Sequence, residues 1–217
     1  MAQLARHASL DRRARRRRET IEEILDVALE VMAAEGMAAL SLAEVARRMG
    51  MRPPSLYQYF PSKAAIYDAL FGEGARRVRV AWLEAEAGLD GADPLTRLRA
   101  TQEAFCRWCI QNPVLSQLLF WRTVPGFEPS PESFAPAAEL LDDMRSRLRA
   151  AVEAGQLAPE AAGDEGVTLY TSLLAGVVSQ QFANEPNASY EQGRFISLNP
   201  TVLDMFIAWY APKENTS

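Results

Sequence analysis

The sequence predicts an all-α chain of about nine helices, with a three-helix helix-turn-helix unit first and a larger helical domain after it. Three observations lead there. Apolar residues recur at three- and four-residue steps, no stretch sustains period-two alternation, and helix start and stop signals punctuate the chain repeatedly. The 217 residues, 48% hydrophobic, suffice for one ordinary core and a small satellite domain.

The first helix is expected from Glu19 to Glu35. There Ile21, Ile24, Leu25, Ala28, Val31 and Met32 form an apolar stripe opposite acidic residues, and Gly36 ends the run. Ser41 and Glu44 have the spacing of a capping box, which starts a short second helix reaching about Met49. Gly50 then supplies the turn. In "MRPPSLYQYFPSK", residues 51–63, paired prolines would break a helix interior or a central strand. In a first helical turn they delete only donors that have no partner. The third helix is therefore expected over 53–60, closed by Pro61. Ser62 caps a fourth helix toward Gly88, about 39 Å long and able to link two domains.

Further on, "DP" at 93, "NP" at 112 and "NP" at 199 each place a capping side chain before a proline at the first helical position. Residues 130–155 read as a helix ended by Gly155, with Pro136 near its start. Residues 159–184 and 200–211 supply the last two. The expected division is a flexible basic arm over 1–18, the helix-turn-helix unit over 19–62 and a helical domain over 63–217.

Charge is divided unevenly. Residues 1–80 carry 14 Lys/Arg against 10 Asp/Glu, and residues 81–217 carry 9 against 18. A basic binding end and an acidic remainder follow, within a net charge of −5. "RRARRRR", residues 12–18, reads as a solvated tail or as a cationic arm for phosphates. No apolar run approaches the roughly 18 residues of a membrane span, and no apolar region follows the basic N-terminus, so the cytoplasm is the expected location. Cys106 and Cys109 cannot build a disulfide framework, and with His7 as the one histidine no metal or other cofactor is expected.

Ala46, Gly50 and Leu56 have helix-turn-helix spacing: a small residue where two helices cross, a glycine in the turn and an apolar residue facing the core. Val45 and Met49 complete that packing. With the preceding helix and the string "LYQYFPSK", residues 56–63, segment 17–70 resembles the DNA-binding domain of the tetracycline-repressor (TetR) family. The resemblance implies a recognition helix entering the major groove, with Leu56 and Phe60 as core. It implies that Tyr57 and Tyr59 lie along the DNA backbone and that Lys63 meets a phosphate. Ser41, Arg52, Ser55 and Gln58 are candidates for phosphate or base-edge contacts; Arg52 suits guanine and Gln58 suits adenine. Pro53 and Pro54 open the helix. Relatives usually carry a small residue at position 54, whose N–H can approach the duplex, a contact Pro54 removes. Arg15, Arg16, Arg17 and Arg18 could supply affinity instead, in the minor groove or along phosphates.

The same resemblance implies that the C-terminal helices form a ligand pocket and a homodimer interface. Phe105, Trp108, Phe120, Trp121, Phe127 and Tyr170, with Gln117, Arg122 and Thr123, supply a mostly apolar lining. Residues 166–184 and 198–210 are apolar around most of their circumference, which suggests a partner. Ala175, Gly176, Ser179 and Ala183 permit close approach of a symmetry mate, with Val202, Phe206 and Trp209 beside them. Residues 118–134 resemble a subtype with a "VPGF.PS" loop, named for a Trp-His-Gly triplet; here Leu174, Ala175 and Gly176 keep only the glycine.

These residues point to a homodimeric, ligand-responsive repressor of a palindromic operator, not an enzyme: the chain has no nucleophile elbow, phosphate loop or histidine beyond His7. Two other readings stand beside it. One is a thiol-sensing regulator through Cys106 and Cys109; the other is a helical small-molecule carrier without DNA activity.

Overall fold

Prolines and polar caps start most of the helices where their spacing places them. The computed structural model describes residues 2–212, with side chains from residue 12 onward. Met1, residues 213–217 and the His7 side chain lie outside the described residues. Among those described there are nine α-helices and no strand: α1 (Ala2–Glu35), α2 (Leu42–Arg48), α3 (Pro53–Tyr57), α4 (Lys63–Glu86), α5 (Pro94–Gln111), α6 (Pro113–Phe120), α7 (Pro131–Glu153), α8 (Asp164–Asn184) and α9 (Asn199–Trp209).

The first three helices close on a small core in which Ile24, Ala28, Val31, Val45, Ala46 and Leu56 are fully buried. Helix α4 begins beneath them and runs into the second layer, where it packs against α5, α6 and α7. Gly74 sits at the α4–α6 crossing, where a Cβ would collide with the Leu119 side chain. Helices α8 and α9 pack on each other and on α5. No helix among the described residues is long and apolar enough to cross a membrane.

Several local expectations are corrected. Residues 2–18 are not a flexible arm but the first half of α1. This segment holds no proline or glycine, and its Ala, Leu and Arg are strong helix formers, so nothing stops the helix at Glu19. Ser41 is the N-cap of α2, but its side chain makes no capping bond, and Glu44, the other half of the expected box, is held by Arg47 and Arg48 (2.7 and 2.8 Å). The third helix ends at Tyr57, and residues 58–59 turn.

Ser62 does cap α4, accepting from the Ala65 N–H at 3.2 Å, and Asp93 caps α5 by accepting from the Leu95 and Thr96 N–H groups. Asn112 instead donates back to the Trp108 carbonyl, and Asn199 turns inward to Gln102. Helix α7 starts at Pro131 under a Ser130 cap, with Pro136 inside it. Residues 159–162 form a separate 3-10 turn before α8.

Candidate functional site

The turn between α2 and α3 is built as its spacing requires. Gly50 takes φ 64°, a conformation that costs a glycine little, and the Met51 N–H donates to the Ala46 carbonyl at 2.9 Å. Ala46 and Leu56 are fully buried where the helices cross, and Phe60 is buried behind them. This packing turns the other side of α3 outward. Ser41, Arg52, Pro53, Pro54, Gln58 and Lys63 are exposed, Tyr57 is 52% exposed, and Ser55 and Tyr59 are half-buried. The nine candidates from this region therefore share one end of the molecule. Hydrogen bonds from Arg47 and Arg48 hold the half-buried Glu44 carboxyl down at about 2, so those two arginines are drawn to α2 itself.

The arginine tract separates by helical register. Arg16 and Arg17 face the end of α3 across an open cleft of about 710 Å³, together with Arg12 and Arg13 from the start of the same tract. Arg17 donates to the Gln58 carbonyl at 3.4 Å, and its guanidinium lies 5.0 Å from the centre of the Tyr59 ring. Arg15 pairs with Glu19 at 3.4 Å. Arg15 and Arg18 do not line the cleft. A helical reading of residues 12–18 would have revealed the division.

A second cavity, of about 430 Å³, lies among α4, α5, α7 and α8 and the end of α6. Of the predicted lining residues Phe105, Phe120, Trp121 and Tyr170 belong to its wall; Trp108, Gln117, Arg122, Thr123 and Phe127 do not. Trp108 is packed in the core, and Arg122 and Thr123 are exposed in the loop after α6. The wall also takes Val78 and Trp82 from α4 and Leu140 and Met144 from α7, which look like ordinary helix core in the sequence. Among the described residues no charged side chain lines the cavity. Burial pushes the Tyr170 hydroxyl far above its ordinary pKa, so it stays neutral. The Trp82 Nε1–H is buried without a hydrogen-bond partner, beneath the Arg147 guanidinium 4.9 Å from its ring.

The loop from Trp121 to Ser130 connects this cavity to the helix-turn-helix end. Trp121 is in the wall, and two residues later the Thr123 hydroxyl reaches Met37 Sδ at 3.4 Å. The Tyr67 hydroxyl donates to the Met37 carbonyl at 2.6 Å. Phe127 packs on Tyr67 and Phe71, with ring centroids 5.7 and 6.5 Å apart, and Phe71 is itself part of the cavity wall.

On the outer face of α8 and α9, Gly176 and Ala183 are exposed, Ser179 and Val202 are half-buried and Trp209 is 76% exposed. Phe206 is a correction. It is buried between Tyr170 and Tyr210, at 5.3 and 4.9 Å, and so belongs to the core of its own chain. Met205, 60% exposed, takes its place on that face. Cys106 and Cys109 are fully buried. Burial raises both thiols, Cys109 to about 12, and Cys106 donates to Asn199 Oδ1 at 3.2 Å. Among the described side chains no group of three His, Cys, Asp or Glu could hold a metal ion.

An exposed, proline-started third helix on a helix-turn-helix core is thus joined through α4 to a helical body with an apolar cavity. Residues 24–70 match the model of the tetR family of bacterial regulatory proteins. It is 32% identical over 81 residues to the HTH-type transcriptional regulator AcrR of Shigella flexneri, 37% of each chain. It is 27% identical over 130 residues to the HTH-type transcriptional repressor KstR of Mycolicibacterium smegmatis, 60% of this chain and 63% of that one. The solved regulatory protein SCO4313 is similar at 26% identity and a TM-score of 0.72, over 90% of this chain and 98% of that one. The alignments with the two named regulators span 37% and 63% of their lengths. The subtype resemblance of residues 118–134 lies outside the matched segment.

Proposed function

We propose that the protein is a transcriptional repressor that binds a palindromic operator as a homodimer and releases it when a small, uncharged, largely apolar molecule fills the cavity. The observation that carries this reading is the loop 121–130, which touches the cavity through Trp121 and the helix-turn-helix end through Thr123 and Phe127. A repressor and a regulator among the relatives support it. The activity is binding, not catalysis, and its place is the cytoplasm, with the duplex.

Two recognition helices must meet half-sites about 34–36 Å apart on one face of the duplex. A tilt of α4 that alters their separation misaligns both at once. The effector must bind the misaligned state more tightly, since equal affinity for two states shifts nothing. A wall without charges favours a neutral molecule, because a carboxylate or ammonium would lose its hydration without a partner. The Tyr170 hydroxyl, Thr171 and Ser172 remain to orient it.

The buried cysteines give no support to the thiol-sensing reading, and the exposed face of α3 gives none to the carrier reading. The test is to select bound duplexes from a random pool, then to titrate neutral, anionic and cationic apolar compounds. Tryptophan emission and operator binding are followed on the same sample. Neutral compounds should quench Trp82 and Trp121 and release the operator together; release by charged compounds alone would sink the effector chemistry, and no selected sequence at all would sink the repressor.

A further inference from the structure

We infer that the cleft between the basic face of α1 and the end of α3 is a second phosphate site, which grips the DNA backbone beside the groove that α3 enters. The inference rests on the proposed DNA binding and goes beyond it: the arginine tract acts as a rigid helical jaw with one active face.

Rigidity comes from continuity. Ile24, Ala28 and Val31 anchor α1 in the core at 0% exposure, and no glycine or proline interrupts the helix from there back to Ala2. At 1.5 Å per residue, the segment before Glu19 lengthens the helix by roughly 25 Å beyond that anchored half. Its charges are thereby held at set positions relative to α3, which a flexible arm could not do.

Register selects the face. Arg12, Arg13, Arg16 and Arg17 fall at i, i+1, i+4 and i+5, one side of a 3.6-residue helix, and all four line the cleft. Arg15 and Arg18 fall on the other side. The opposite wall is Gln58 and Tyr59, and among the described residues no carboxylate lines the cleft. Arg13 and Arg16 bring like charges to one open space beside Arg17, so the site favours a polyanion.

Continuity with α3 favours the duplex as that polyanion. Gln58 belongs both to the candidate base-reading face and to the cleft wall. A backbone lying in the cleft is therefore that of the strand flanking the groove α3 occupies. Arg17 plays a different part, closing the floor by its contacts with the Gln58 carbonyl and the Tyr59 ring.

The experiment uses the full chain, the selected operator and three variants. R13A/R16A removes two charges from the cleft and R15A/R18A removes two from the other face. Insertion of Gly-Gly-Ser between Arg18 and Glu19 keeps every charge and breaks the rigid link. Circular dichroism and thermal melting confirm that each variant folds. R13A/R16A should lower the slope of log affinity against log salt by about 2, at about 0.9 per phosphate, and remove backbone protection at the flanks of the footprint. The insertion should lose the same flanking protection, and R15A/R18A should keep it. Equal slopes and footprints for the two double variants, or an insertion variant with the full footprint, would overturn the rigid jaw. Absence of duplex binding by the wild type overturns the DNA reading and this inference together.

Discussion

Asp68, on the second turn of α4, accepts hydrogen bonds from both the backbone N–H and the hydroxyl of Ser130, at 2.6 and 2.9 Å. The same carboxylate accepts from the Ser133 hydroxyl at 2.8 Å. Ser130 in turn caps α7 through the Ser133 N–H. One side chain on the helix that leaves the DNA-binding end therefore holds the start of the helix that forms a wall of the cavity. A shift of α7 on effector binding must move α4 or break this cluster.

Asp68→Ala should destabilise the chain by about 1.5–3 kcal/mol, the usual range for hydrogen bonds to a charged group. It should also leave effector binding in place while weakening operator release. Burial raises the Asp68 carboxyl, but the hydrogen bonds from Ser130 and Ser133 outweigh it and leave it below its ordinary 3.8. The contribution is accordingly complete above that value and is lost as pH falls past it through the lower folded value. Urea titrations at pH 7 and pH 3 measure both effects. A variant as stable as the wild type at pH 7 would remove the role assigned to Asp68.

The two cysteines should be silent at neutral pH. A thiol reagent at pH 7.5 should label neither in the folded protein and both in denaturant, because the reactive thiolate is suppressed by burial. The sign of the pH dependence is opposite to that of Asp68. With folded values raised above the ordinary 9.0, the stability is present below pH 9 and is lost as pH rises through it. Operator release by mild oxidant, absent in a Cys106→Ser/Cys109→Ser variant, would restore the thiol-sensing reading.

Contacts at the DNA-binding end should divide into positioning and reading. Lys63→Ala should weaken binding to every sequence alike and lower the salt slope by about one, since a phosphate carries no base information. Arg52→Ala and Gln58→Ala should each relax preference at one base position, at a cost of about 1–3 kcal/mol. Competition against a set of single-base operator variants separates the two behaviours. Uniform loss on Gln58→Ala would confine that residue to the backbone cleft.

The helix-turn-helix core was legible because its constraints are local. Ala46, Gly50 and Leu56 each need a residue type at a fixed offset, and the paired prolines admit one structure. Side-chain capping was less so: Asn199 is a competent cap that is drawn to Gln102, and the Glu44 half of the expected capping box is taken by two arginines. The cavity was half legible. Its α5 and α6 aromatics stand out, whereas Trp82, Leu140 and Met144 are core-like residues whose exposure to a void depends on how four helices meet. Phe206 shows the same limit on α9, where spacing alone did not distinguish an inward aromatic from the outward Trp209.

That last pair gives the sharpest test of the dimer. Phe206 lies between Tyr170 and Tyr210 in its own chain, so Phe206→Ala should cost about 3–5 kcal/mol of fold stability, as expected for a buried aromatic. Trp209 is 76% exposed and Met205 60%, on the same helix as Phe206. Two exposed large apolar groups on one short helix suit a symmetric contact in which each copy presents the same face. Trp209→Glu should leave the melting transition of the isolated chain nearly unchanged, since that side chain touches little of its own core. It should dissociate the dimer, because two new carboxylates would meet across the two-fold axis. Sedimentation velocity should then show a monomer, and operator affinity should fall steeply because a single recognition helix reads half a site. A Trp209→Glu protein that sediments as a dimer would place the interface elsewhere on the surface.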